Sequence, residues 1–145
     1  MLDNKFFRKI SADVVMNYRK HIFDPAGGGS GAKQVDGKSY PSYSPNYKKS
    51  TGNLKRQSSK FKDSKAPVLT GDLLRDYGFQ KYMRDGFAFG FKTEGAKVNR
   101  LAKLGRVLSS ERIPIPKSVG KFIMLEANKY VVKELNKIKG GTFNV

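Results

Sequence analysis

Between residues 5 and 22 the apolar positions Phe7, Ile10, Val14, Tyr18 and Ile22 recur at spacings of three and four, which predicts a helix over 5–23 with one face turned to a core. The helix should stop at Phe23-Asp24-Pro25, because proline disfavours helical geometry in the residue before it; AGGGSG then predicts a flexible joint. From Val68 the pattern changes. Leu69-Thr70-Gly71 leads into a short helix GDLLRD, with Thr70 as its cap and Leu74 as the anchor to a sheet. YGFQKYM (77–83) and FAFGFKT (87–93) flank Arg84-Asp85-Gly86, and Asp-Gly supplies the backbone angles of a hairpin. On the second strand Phe87, Phe89 and Phe91 share one face, expected to point inward.

Further along, Val98, Leu101 and Leu104 predict a short helix over 96–104 that Gly105 ends in the left-handed region. Ile113-Pro114-Ile115-Pro116 must be extended, and Ser118 is placed to cap the final helix. That helix is predicted to run from about Val119 to Lys139 within a C-terminal segment 117–139, with Ile123, Ala127, Val131, Leu135 and Ile138 on one stripe and Tyr130 beside it, ending at Gly140-Gly141. A helix, a long arm, a hairpin, short helices and a terminal helix predict a single α+β domain over 1–145: a small antiparallel sheet packed by the first and last helices.

The arm, residues 24–65, is the distinctive stretch. From Lys33 to Lys65 it holds nine Lys and Arg against Asp36 and Asp63, with Tyr40, Tyr43, Tyr47, Pro41 and Pro45 and almost no aliphatic side chain. Such a segment cannot bury a core alone, so it predicts an arm that orders on a partner. Tyr40, Tyr43, Tyr47, Lys48, Lys49, Lys55 and Arg56 are its candidate contact residues. Tyrosines among lysines suit a protein interface, a nucleic-acid surface that stacks bases and tracks phosphates, or a merely solvated loop.

Charge sharpens this picture. The 145-residue chain carries 29 Lys and Arg against 12 Asp and Glu, a formal charge of +17, which predicts an acidic or polyanionic partner. Hydrophobic residues make up only 38%, but 10 Phe and 7 Tyr supply large units of burial for a small core. Zero cysteines exclude disulfides, Cys-ligated metals and thiol nucleophiles, and fit assembly in a reducing cytosol. No apolar run approaches the roughly 20 residues of a membrane span, and the opening MLDNKFFRKISADVV lacks a signal-peptide core.

Candidate chemistry is sparse. AKQVDGKS (32–39) meets a relaxed phosphate-loop pattern, but no buried strand feeds it and Tyr40-Pro41 follows where a helix should start; a basic turn is the better reading. His21 is the single histidine, and its place late in the first helix is sufficiently explained by the helix C-terminus. Asp72 and Asp76 are the one close carboxylate pair and read as a solvated helix face. No catalytic residue, cofactor or metal is expected.

The order of the weaker motifs resembles the tailed-bacteriophage neck proteins, the virion morphogenesis and tail-completion family that joins heads to tails. The likeness rests on Gly37-Lys38-Ser39-Tyr40-Pro41-Ser42-Tyr43-Ser44-Pro45, on Leu69-Thr70-Gly71-Asp72-Leu73-Leu74-Arg75, and on Phe89-Gly90-Phe91. It continues through Arg112-Ile113-Pro114-Ile115-Pro116 to Val119-Gly120 before a terminal helix. Between these, Ala96 to Gly105 offers only Ala102, Leu104 and Gly105 where the family usually has a Tyr-Ala pair and a His before a Gly. The resemblance implies a structural virion protein that acts by binding: a ring of six or twelve copies, either tail terminator or head–tail connector. It further implies portal, adaptor and tail proteins as partners, and assembly in the host cytoplasm into the neck of the virion. Packaged DNA is a further partner for the positive charge, contacted without sequence preference; a membrane is not. The alternative is a non-sequence-specific nucleic-acid-binding protein.

Overall fold

The computed structural model describes residues 2–43, 65–67, 72–83 and 86–139. The order is α1 (Asn4–Ile22), α2 (Asp72–Asp76), β1 (Tyr77–Met83), β2 (Gly86–Phe91), α3 (Gly95–Lys103) and α4 (Lys117–Lys139), an α+β arrangement. The predicted bounds of the two long helices, 5–23 and about 119–139, hold to within two residues.

Helix α1 is the central element. Its buried side chains Phe6, Phe7, Ile10, Val14, Tyr18 and Ile22 make the expected stripe. Asp3 caps it, the carboxylate accepting from the Phe6 N–H at 3.1 Å. That bond, with the Tyr130 hydroxyl donating at 3.0 Å, holds the Asp3 carboxyl below its ordinary pKa against a smaller opposing cost of desolvation.

Strands β1 and β2 form a two-stranded antiparallel sheet against α1. Tyr77 stacks on Tyr18 with ring centroids 3.7 Å apart, and Phe91 meets both rings edge-on. The register runs from Tyr77↔Phe91 to Phe79↔Phe89 and resumes at Lys81↔Ala88, leaving Gln80 as an extra residue. Phe89 and Phe91 pack on the core as expected, and the side chain of Phe87, the third residue of that face, lies outside the described part. Strand β2 stops at Phe91, two residues early, because the Asp76 carboxylate takes the N–H groups of Thr93 and Glu94, both at 2.9 Å, and turns the chain into α3. In α2 the deeper anchor is Leu73; Leu74, expected in that role, is half-buried. Leu69, Thr70 and Gly71, including the predicted cap, lie outside the described residues.

The largest correction concerns the arm. Residues 24–43 fold onto α1 instead of extending from it. The glycine-rich stretch wraps the Asp24 carboxylate, which accepts from the N–H groups of Gly27 and Gly31. A Cβ at Gly27 would collide with that carboxylate, so glycine is there for close approach and not for flexibility. Lys33 and Ser39 then bridge as a miniature hairpin, and Val35 and Tyr40 are buried. The apolar content that sequence composition denies this segment comes from the helix it covers.

Two corrections fall near the last helix. Ser118 does not precede α4, which begins at Lys117; the Pro116 carbonyl starts it by accepting from Val119 and Gly120. The predicted inward stripe also divides: Ile123, Ala127 and Tyr130 pack on the core, while Ile138 is 74% exposed. Each step of four from Ile123 to Leu135 overshoots a full turn by about 40°, and the step of three to Ile138 turns back only about 60°, so the stripe ends rotated away from α1.

Candidate functional site

Each of the expected contact residues has a definite place or falls outside the described part. Tyr40 is 4% exposed, and its hydroxyl donates to the Ile22 carbonyl at 3.0 Å. Burial pushes its pKa well above the phenol range. Tyr40 is therefore a core residue of this chain and not a free anchor for a partner. Tyr43 is half-buried; its hydroxyl donates to the Ala66 carbonyl at 3.1 Å, and the Arg106 guanidinium lies 3.9 Å over its ring. Tyr47, Lys48, Lys49, Lys55 and Arg56 lie outside the described residues.

The motif positions are equally dispersed. Gly37 and Gly105 both have the left-handed backbone that glycine tolerates, with φ of 88° and 81°. A Cβ on Gly90 would press on the Gln80 amide at 3.1 Å, so this glycine accommodates the extra residue in β1. Arg112 and Pro114 are exposed, Pro116 is buried, and Gly120 sits half-exposed in the first turns of α4. They position the last helix and do not converge on a pocket.

What sequence reasoning missed is a polar latch joining the folded arm to the loop after α3. Gln34, 8% exposed, donates from its amide to the Ser39 carbonyl at 3.0 Å and accepts from the Val107 N–H at 2.9 Å. Its own carbonyl receives the His21 Nε2–H at 2.8 Å, so the single histidine serves to pin this turn. Arg106, buried as well, donates to the Pro41 carbonyl. The available signal was the pairing of two polar residues each followed by valine, Gln34-Val35 and Arg106-Val107; that pattern is too common to single out.

The surface has two unlike features, both involving α4. Helices α1 and α4 run antiparallel, since Phe6 meets Tyr130 at a centroid distance of 5.2 Å while Asn17 and His21 face Ser118 and Phe122 across a second hollow. Between the start of α1 and the end of α4 opens a groove of about 480 Å³, with Phe6, Ile10 and Tyr130 at its base. Its walls carry Lys5, Arg8 and Lys9 from α1 and Lys129, Lys133 and Lys137 from α4, against Glu126 and Glu134. The two glutamates pair with Lys129 and Lys137 at 3.5 and 3.2 Å in exposed bridges three residues apart, which are weak.

On the opposite side of α4, Met124, Asn128, Val131, Leu135 and Ile138 recur at alternating steps of four and three, the spacing of a helix-packing seam, with Asn128 its one polar position. Met124 is 66% exposed, Leu125 beside it 53%, and Val131, Val132 and Leu135 are half-exposed. Among the described residues no group of three or more His, Asp or Glu is gathered to hold a metal, and no helix is long and apolar enough to cross a membrane. Comparison with protein-family models, with curated proteins and with solved structures finds no match to this chain.

Proposed function

We propose that this chain is a structural component of a phage-like virion, a ring-forming neck protein that completes the tail or connects it to the portal, acting by protein–protein binding. The observation that carries this reading is the pair of unlike surfaces on α4, a mostly apolar seam on one side and a strongly basic groove on the other. A ring subunit that joins other parts of a particle needs one surface for neighbouring copies, here the seam set against a different face of the next subunit, and another, here the groove, for a different protein. On a chain of charge +17, an uncharged seam is also where a like-charged copy can approach with least repulsion. The order of motifs from Gly37 to Gly120 supports the neck assignment.

The second reading, sequence-blind binding of nucleic acid, is favoured by the same groove. Titration separates the two. The purified full chain is expected to give a native mass of six or twelve subunits at physiological salt. Its affinity for duplex DNA should be weak, roughly 10⁻⁴–10⁻⁶ M, and should collapse as salt rises. A chain that stays monomeric at all concentrations yet binds DNA tightly in high salt would favour the second reading and overturn the first.

A further inference from the structure

The basic groove poses a question that ring closure leaves open: which partner brings the opposite charge. Six cations line it against two carboxylates, an excess of four positive charges at one site. Lys9 and Lys133 have no carboxylate within 4.0 Å among the described residues, and both are exposed. Lys129, Lys133 and Lys137 follow one another at steps of four, so about 6 Å separates each along α4. Lys5 and Lys9 repeat the same step on the facing wall. Carboxylates at every fourth position of another helix have this repeat, and a furrow between two antiparallel helices is the shape into which a third helix lies.

We propose that the groove between α1 and α4 docks an acidic amphipathic helix from a protein other than this chain. The inference rests on the reading of this protein as a protein-binding component and names the chemistry of one partner. Lysine stems along the walls, with Tyr130 below them, would cover the apolar side of such a helix while the ammonium groups meet its carboxylates.

A second copy does not fit this role. Among the described helices only α2 has carboxylates four apart; Asp72 is paired with Arg75, and Asp76 is occupied by Thr93 and Glu94. Nucleic acid fits less well than an acidic helix. Phe6 is 1% exposed and Tyr130 is half-buried with its ring against that of Phe6, so the base of the groove offers a nucleobase one partly covered ring and no pair of rings between which to stack.

The test uses the full-length chain and two probes of equal charge: a labelled helical peptide with Glu at every fourth position beside a leucine face, and a single-stranded oligonucleotide. Wild-type protein should bind the peptide, and the double reversal Lys9→Glu with Lys133→Glu should weaken it by about tenfold or more. Lys97→Glu, on α3 away from the groove, should leave it within about twofold. Both changes are at exposed positions, and an unaltered circular dichroism spectrum certifies the fold. Equal loss from the groove and control variants would overturn the proposal, as would an oligonucleotide that displaces the peptide and depends on Lys9 and Lys133 more strongly than the peptide does. Native mass is read on the same samples. Rings that form without binding the peptide would sink the groove proposal alone, whereas monomers that still bind it would sink the ring.

Discussion

The hydroxyl of Tyr18 donates to the carbonyl of Leu108 at 2.6 Å, joining the middle of α1 to a loop 90 residues away. Both residues are fully buried, and burial pushes the Tyr18 pKa far above that of a free phenol. Tyr18→Phe should keep the ring stacked on Tyr77 while leaving the Leu108 carbonyl without a donor. Denaturant unfolding should register a loss of about 1–3 kcal/mol, and no change would mean that another donor reaches this carbonyl.

Tyr40 gives a prediction that departs from what its basic surroundings suggest. As a buried side chain hydrogen-bonded to Ile22, its replacement by alanine should destabilise the free chain by about 3–5 kcal/mol. Hydrogen exchange offers a parallel check. The N–H groups of Lys33, Gln34 and Val35 donate to His21, Lys38 and Val107, and should be protected before any partner is added. Rapid exchange there, with Tyr40→Ala harmless, would return this segment to the status of an open arm.

The contrast shows where sequence reading succeeds. Periodic apolar positions located α1 and α4, the aromatic runs on either side of residues 84–86 located the two strands, and Gly105 took its left-handed conformation, because each signal is local; Gly86, expected to bring a positive φ to the turn, instead opens β2 without one, and Asp85 lies outside the described residues. The folding of residues 24–43 depends on Gln34 meeting Val107 and on Arg106 covering Tyr43, contacts more than sixty residues apart that no window of the arm contains. The groove was illegible for a similar reason: Lys9 and Lys133 look like ordinary solvated charges until α1 and α4 lie antiparallel.

Two carboxylates should shape the acid limb of stability. Asp3 is held below its ordinary pKa chiefly by the Phe6 N–H; at Asp76 desolvation opposes the shift, but the combined hydrogen bonds from Thr93, Glu94 and Lys92 prevail. A lowered folded pKa means that the folded state binds fewer protons than the unfolded one. The contribution is complete above the unfolded value, roughly pH 4, and is lost as pH falls through the folded values. Asp76→Asn should flatten that limb of the thermal midpoint against pH, and an unchanged slope would show that Asp76 titrates alike in both states.

The seam on α4 should matter to assembly and not to folding. Met124→Asp and Ile138→Asp alter side chains that are 66% and 74% exposed, so the unfolding midpoint should move by less than about 0.5 kcal/mol. Native mass should fall to the monomer, because a charge would be buried unpaired at each contact. Intact rings in both variants would place the subunit contact elsewhere.

The central claim is that this chain builds the neck of a particle, and cryo-electron microscopy of particles carrying the chain tests it most directly. The account predicts a closed ring of this subunit at the junction of head and tail, with α4 seams at subunit contacts and basic grooves facing an acidic neighbour. Complete particles whose necks lack the chain, while it lies along DNA, would contradict it.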